Sequence, residues 1–248
     1  MTHCMCDVAG YRETVKNAIN AGMETFYRFY QENPDCRRGL VTFETQFFPF
    51  IEKYVKEQIT SLDIGYGSGS MVFAASKHFE MALGLDVHLQ NEEVASELIR
   101  NGCDNFNLYV GDGRHIPIED DCIDFIHTWT VFMHFEKVEI VKSYLAECYR
   151  VMKPGGLAVL YFARMYRQKP NETKKEWKES IELEPDLYQE KIVTVNHINL
   201  TISMRWMEQA TEEAGFKILE RTASTVAVHH IEYYHGQHGL VLRKPDEI

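Results

Sequence analysis

The sequence carries its most informative segment at Ser61-Leu-Asp-Ile-Gly-Tyr-Gly-Ser-Gly-Ser70. A short apolar run there contains an acidic residue and is followed by glycines at alternate positions. This pattern is typical of a buried β-strand whose exit lets a ligand approach the backbone. The dinucleotide fingerprint requires Gly-x-Gly-x-x-Gly or Ala, whereas residue 70 here is a serine. The glycines alone leave a second interpretation open, in which they only let a helix pack closely against the strand.

Acidic residues mark the ends of three successive predicted strands. Asp63 would repel a pyrophosphate but attract a cationic ligand. Asp86 closes the next strand, about 20 positions beyond the glycines, where a carboxylate can accept hydrogen bonds from both hydroxyls of a ribose. Asp112, between Gly111 and Gly113, follows the third strand and can accept a hydrogen bond from an adenine amino group. Asp86 could equally lie in a surface turn, but the three positions together favour one cationic nucleoside ligand.

Strand-like apolar runs alternate with helical patterns from the first strand onward. Val138, Val141 and Leu145 recur at helical spacing, and Lys153-Pro-Gly-Gly156 is expected to end that helix. The predicted strands are 61–64, 81–85, 107–110, 122–127, 157–162, 216–220 and 239–242. The predicted helices between them are 71–79, 92–100, 136–152 and 204–214. This alternation predicts an α/β fold, a doubly wound and mainly parallel sheet with helices on both faces.

Two regions depart from the alternation. Residues 1–58 precede the first sheet strand and are expected to form a helical N-terminal extension, with Pro49 at the start of one helix. Residues 59–248 are expected to form the core, interrupted by a charged insertion at about 164–201. Additions of this kind usually lie over the carboxyl ends of the strands, where ligands bind. We therefore expect both regions to act as a lid.

Composition narrows the classes of partner. The chain has 248 residues, a formal net charge of -11 and no long Lys/Arg run, which disfavours a nucleic-acid surface, although a local basic groove stays open. The N-terminus lacks a signal-peptide pattern, and no apolar stretch approaches the roughly 20 residues of a membrane-spanning helix. We expect a soluble, cytoplasmic protein with no membrane partner. The six cysteines are scattered, so reduced thiols are favoured over a metal site at Cys4, Cys6 and His3.

At these positions the sequence resembles the class I S-adenosylmethionine-dependent methyltransferases, in their small-molecule branch. The acidic-x-Gly-x-Gly-x-Gly loop of that family is matched by Asp63-Ile-Gly-Tyr-Gly-Ser-Gly69, and its later acidic positions by Asp86 and Asp112. Its Pro-Gly-Gly turn is matched by Pro154-Gly-Gly156. The resemblance covers residues 60–163 and extends to the C-terminal strands. It implies a Rossmann-like, seven-stranded sheet with an antiparallel last strand. It also implies S-adenosyl-L-methionine as cofactor, held by Asp63, Gly65, Gly67, Gly69, Asp86, Asp112, Gly113, His127 and Thr128.

A sulfonium donor already carries an electrophilic methyl group, so the protein needs few residues that react covalently. The acceptor atom must be held about 3 to 3.5 Å from the methyl carbon, in line with the departing sulfur. A hydroxyl acceptor also benefits from a general base, and histidine titrates near neutral pH. The loop after the fourth strand reads His127-Thr-Trp-Thr-Val-Phe-Met-His134-Phe135. His134 is the first candidate for the catalytic base and His127 the second, while a structural role for either stays open.

The acceptor is expected to be a small molecule, methylated more readily at oxygen than at nitrogen. The candidate acceptor contacts are Trp129, Arg164, Tyr166 and His197, although a helix-facing or solvent role for Arg164 and Tyr166 stays equally open. A divalent metal held by His197, His229, His230 and Glu232 stays open but is disfavoured, since their separations match no ligand spacing, so we predict no metal.

The sequence leaves two other functions and one oligomeric state open. The chain could be a donor-binding regulatory protein without turnover, or an RNA or protein methyltransferase, and it could form a homodimer. The acidic charge disfavours a methyltransferase of RNA or protein. So does Thr128-Trp-Thr-Val, which stands where an Asn-Pro-Pro-Tyr-like segment would be expected.

Overall fold

The computed structural model describes residues 8–166, 169, 172–191, 198–224 and 236–246. Within them, four helices precede the first strand: α1 (Val8–Asn20), α2 (Met23–Phe29), α3 (Arg37–Gln46) and α4 (Phe48–Tyr54). The later helices are α5 (Ser70–Ala75), α6 (Asn91–Arg100), α7 (Val138–Val151), α8 (Lys174–Leu183) and α9 (Met204–Glu213), with a short 3₁₀ helix at Phe132–His134. Within these ranges, none of the helices combines the length and apolar character needed to cross a bilayer.

Among the described residues, the strands form one large sheet and one two-stranded antiparallel sheet. They are β1 (Thr60–Ile64), β2 (Met81–Asp86), β3 (Phe106–Val110), β4 (Ile123–Thr128), β5 (Met152–Ala163), β6 (Tyr188–Glu190), β7 (Leu200–Ile202), β8 (Lys217–Ala223) and β9 (Gln237–Arg243). The large sheet has seven strands in the order β3-β2-β1-β4-β5-β9-β8. Strands β1 to β5 pair in parallel, and β9 runs antiparallel to both β5 and β8. The predicted doubly wound, mainly parallel fold is confirmed.

Alternation of side chains along the central strands creates two separate cores. Leu62, Ile64 and Ile126 belong to the core on the side of α7 and α9. Phe125 and Val159 belong to the opposite core, which α3, α4 and α5 cover. Because successive side chains of a strand point to opposite faces, Asp63 and His127 lie on the α3 side. Two polar residues thus lie in a core, and the side chains around them are mainly aromatic.

The N-terminal helices pack directly on the sheet layer. A Cβ added to Gly39 in α3 would lie 2.6 Å from the carbonyl carbon of Ser70 in α5, so the two helices touch backbone to backbone. Phe43 and Phe47 are fully buried between these helices and the sheet. This contact holds the N-terminal helices against the sheet layer, where α1 and α2 reach the carboxyl ends of the strands.

Two boundaries differ from expectation. The segment Lys153-Pro-Gly-Gly156 does not form a free turn, because β5 already begins at Met152, where it pairs with Ile123 before the register shifts. Gly155, with φ 77°, takes up this irregularity. The helix predicted at 71–79 ends at Ala75. The first difference arises at the irregularity in the pairing of β4 with β5.

Candidate functional site

The loop between β1 and α5 brings bare backbone to the carboxyl edge of the sheet. Gly65 has φ 81° and Gly67 has φ 52°, the left-handed region in which other residues are strained. A Cβ on Gly65 would collide with the Val131 side chain of the loop after β4. A Cβ on Gly67 would lie 2.8 Å from the Tyr30 ring. The glycines therefore serve both the turn and the close approach of two neighbouring segments.

Both backbone polar groups of Gly67, its N–H and its carbonyl, have a side-chain partner. Its N–H donates to Oδ2 of buried Asp86 at 2.9 Å, and its carbonyl lies 3.0 Å from Nε2 of His88, which is fully buried. Oδ1 of Asp86 accepts from the N–H groups of Val87 at 2.7 Å and His88 at 3.2 Å. Each carboxylate oxygen can accept two hydrogen bonds, so Oδ2 keeps capacity for a further donor. His88 was not predicted from the sequence, although its spacing of two residues from Asp86 is a local signal.

Asp63 and His127 lie side by side in the sheet. They are register partners on β1 and β4, with Oδ1 and Nδ1 3.4 Å apart. Burial, followed by the neighbouring charge of Asp86, raises the pKa of the Asp63 carboxyl well above its usual range. Burial lowers the pKa of His127 to about 3. Its weakened basicity and full burial argue against the base role considered for His127.

The tip of β3 forms a local hydrogen-bonded turn. Asp112 accepts from the N–H groups of Arg114 and His115, both at 2.8 Å, and from Nδ1 of His115 at 2.7 Å. These bonds, that of the His115 ring foremost, lower the pKa of Asp112 to about 2, and the same pair raises the pKa of His115. Gly113, at φ 87°, lets the chain turn back. Asp112 thus remains ionised and exposed beside the crevice, and His115 is a partner that was not predicted from the sequence.

Helices α1 and α2 lie over the edge formed by β1, β2 and β3. Arg12 donates from Nε to the carbonyl of Val87 at 2.6 Å and from Nη2 to that of Gly111 at 3.1 Å. The hydroxyls of Tyr11 and Tyr30 are 2.7 Å apart. The N-terminal helices therefore contact the glycine loop and two strand ends. No sequence motif signals these contacts, since they join segments far apart in the chain.

The segment after β4 places the other candidates. His134 is half-buried in the 3₁₀ helix, and its carbonyl accepts from Nδ2 of Asn199 at 3.0 Å. Thr128 is fully buried, and its Oγ1 accepts from the N–H of Tyr161 at 3.1 Å. Trp129 packs edge-on against Tyr161, with ring centroids 4.8 Å apart. Insertion residue Asn199 is thus joined to the loop that carries His134.

The candidate acceptor contacts beyond β5 separate into three cases. Arg164 is 1% exposed and binds Glu172 through two nitrogens, at 2.6 and 3.0 Å. Its charge is already compensated, so this placement argues against capture of an anionic acceptor. Tyr166 is 52% exposed. The last acceptor candidate, His197, lies outside the described residues, as do His229, His230 and Glu232 and the N-terminal His3, Cys4 and Cys6 that were considered as metal ligands.

A further residue of this edge was missed. Oε1 of buried Gln237, at the start of β9, accepts from the N–H of Thr130 at 3.2 Å. Thr130 has φ 55°, a left-handed conformation that costs a β-branched residue free energy. Gln237 therefore helps to hold the strained loop after β4 in place.

Comparisons with known proteins agree with this geometry. A family model described as a methyltransferase domain matches residues 62–160. These residues form a class I methyltransferase domain. The matched segment contains the glycine loop and the tips of the first four parallel strands.

Similar proteins share the methyltransferase domain but vary in acceptor. A malonyl-[acyl-carrier protein] O-methyltransferase of Methylococcus capsulatus is 26% identical over 170 residues, covering 66% of this chain and 54% of the relative. A ubiquinone/menaquinone biosynthesis C-methyltransferase of Brucella abortus is 30% identical over 103 residues, covering 39% and 37%. The chain thus spans about half the length, or less, of these curated relatives. The crystal structure of the YcgJ protein of Bacillus subtilis matches with TM-score 0.58 at 15% identity, covering 83% of this chain and 100% of that chain.

The residues present fit the cofactor that such a domain implies, S-adenosylmethionine. Gly65, Gly67 and Gly69 all have positive φ, and the space beside them is taken by Val131, Tyr30 and Val94 of this chain, so the acidic side chains around the loop carry the fit. Asp63 offers a buried oxygen, Oδ2, without a hydrogen-bond partner among the described residues. Asp86 stands beside the loop with acceptor capacity left. This donor set suits a cation joined to a nucleoside.

Proposed function

We propose that this protein transfers a methyl group from S-adenosylmethionine to a small-molecule acceptor. The observation that carries the proposal is the glycine loop, pinned by Asp86 and His88 beside the unpartnered oxygen of Asp63. S-adenosylmethionine supplies an electrophilic methyl group on a sulfonium sulfur. The residues of the chain bind it, orient it and keep water away. Positioning of this kind supplies most of the rate in a displacement that needs no covalent enzyme intermediate.

The finer proposal concerns the acceptor side. The acceptor is a compact molecule methylated at oxygen, and His134 removes the proton from its hydroxyl. Trp129 and the aromatic residues around His134 form an apolar wall for such a molecule. The helices in residues 1–58 and the insertion at about 164–201 act as the lid that excludes water. The joint between Asn199 and the His134 carbonyl supports a coupling of the insertion to the base.

Binding and turnover test the proposal separately. Calorimetry should detect S-adenosylmethionine binding, and S-adenosylhomocysteine should accumulate with a pool of hydroxylated metabolites. Asp86→Asn should weaken donor binding by about 1–3 kcal/mol, the scale of a hydrogen bond to a charged group. The exposed Asp104→Asn serves as a matched control and should bind normally. Tight binding without turnover on any acceptor pool would favour a regulatory protein, and absence of binding would contradict the proposal.

The role of His134 needs its own variant. His134→Gln should lower kcat by about 10² or more, the low end of general-base effects, while donor affinity is kept. The pH profile of kcat should also lose its acidic limb. A variant with the wild-type rate and profile would remove His134 from the chemistry.

A further inference from the structure

Asp63 and His127 form an isolated polar pair under the glycine loop. Asp63 is 2% exposed and His127 0%. The 3.4 Å between Oδ1 and Nδ1 is longer than an ordinary N–H···O hydrogen bond. Among the described residues, Oδ2 of Asp63 and both ring nitrogens of His127 have no hydrogen-bond partner. Buried polar groups are nearly always hydrogen-bonded, so this pair is incomplete as it stands.

The surroundings of the pair contain little that would stabilise a charge. The rings of Phe43, Phe47 and Phe125 lie with their centroids 5.1 to 5.4 Å from that of His127. From β5 the register partner of His127 is Val159.

The ionisable groups nearby act mostly on other residues. Asp86 on β2 is the one whose charge acts on Asp63. His78 stacks on Phe43 and pairs with Glu44.

The protonation of the pair follows from this setting. Burial and the charge of Asp86 favour the protonated carboxyl of Asp63, and burial favours the neutral imidazole of His127. Without a ligand, the uncharged form of the pair is thus favoured. A cation placed in the crevice would reverse the balance at Asp63, because it compensates the buried charge and the repulsion from Asp86.

We infer that Asp63 and His127 act as one proton-releasing unit of the donor site, in which a cationic ligand displaces the proton carried on Oδ2 of Asp63. The O–H bond breaks, the proton passes to water, and the negative charge stays on the carboxylate. The imidazole remains neutral and donates its Nδ1–H to Oδ1. His127 is therefore a positioning residue that acts through Asp63. This inference rests on the proposed function, since it requires a cationic donor.

Proton release can be counted on the wild-type protein. Titration with S-adenosylmethionine in buffers of different ionisation enthalpy should give enthalpies that depend on the buffer, with release approaching one proton. Affinity should rise with pH by up to about tenfold per unit while Asp63 is protonated in the free protein. Equal enthalpies in all buffers, with binding intact, would overturn the inference and leave the proposed function standing. Absence of binding would overturn the proposed function, and this inference with it.

NMR of the carboxyl carbons identifies which group releases the proton. The Asp63 carbon should show the protonated form in the free protein at pH 6 to 7 and the ionised form after S-adenosylmethionine is added. An Asp63 already ionised in the free protein would overturn the inference. S-adenosylhomocysteine, whose sulfur is neutral, identifies the cation: the same change with both ligands assigns it to the shared ammonium group, and a change with the donor alone assigns it to the sulfonium.

Two substitutions distinguish positioning from mere space filling at His127. His127→Asn places an amide N–H near the position of Nδ1, whereas His127→Phe keeps the ring and loses both nitrogens. Positioning predicts that the Asn variant binds the donor within about threefold of wild type and still releases the proton. It also predicts that the Phe variant loses about tenfold or more, as expected for a lost hydrogen bond to a charged group. The opposite order, with Phe tolerated in this aromatic core and Asn not, would overturn the role of His127.

Discussion

Gly67→Ala tests the contact between the glycine loop and the N-terminal helices. A left-handed backbone costs an L-residue about 1–2 kcal/mol, and the φ of Gly67 is 52°. The new Cβ would also lie 2.8 Å from Cε1 and 2.9 Å from Cδ1 of Tyr30, and overpacking of this kind costs about 1–3 kcal/mol. The free energy of unfolding should therefore fall by about 2–5 kcal/mol, with both contributions added.

Urea denaturation at equilibrium measures this loss, and the chain offers a matched control. Gly102 also has positive φ, 78°, but nothing lies within 4 Å of an added Cβ. Gly102→Ala should therefore cost only the backbone part, about 1–2 kcal/mol. Replacing Tyr30 by Leu in the Gly67→Ala background should recover the steric part. Equal losses for the two single variants would refute the contact between Tyr30 and the loop.

Three further predictions concern other contacts of the site. Arg164→Ala should lower the free energy of unfolding by about 3–5 kcal/mol, because it leaves the buried Glu172 carboxylate unpaired; a loss under about 1 kcal/mol in urea titration would contradict the buried pair. By NMR, His115 should titrate above its ordinary pKa, and Asp112→Asn should return it toward that value, since the imidazolium then loses its partner. Arg12→Ala should speed amide exchange in α1, because two hydrogen bonds to strand ends are lost, and unchanged exchange would contradict that anchoring.

The sequence predicts what depends on neighbouring residues. The strands and the acidic positions that follow them are local patterns, because burial on both faces demands continuous apolar runs. The loop containing Gly65 and Gly67 was found for the same reason. Asp86 was also placed beside that loop correctly, since parallel strands end at a common edge.

The sequence does not predict what depends on distant segments. Arg12 reaches carbonyls 75 and 99 positions away, and no pattern in α1 indicates which strand ends it meets. His127 was predicted at the end of a strand, next to the loop with the candidate bases, but the register of β4 against β1 that pairs it with Asp63 was not predicted. Arg164 was a candidate to bind an anionic acceptor, but it pairs with Glu172, and no local pattern indicates that contact. In each case a tertiary partner changes the chemistry of the side chain.

The position of β9 bears on how the chain assembles during synthesis. In the sheet order β9 lies between β5 and β8, and β8 pairs with β9 alone among the described strands. When β8 leaves the ribosome, its hydrogen-bonding edge has no neighbour, and β5 still exposes an apolar edge. Both edges remain available for aggregation until β9 has been translated and has inserted between them.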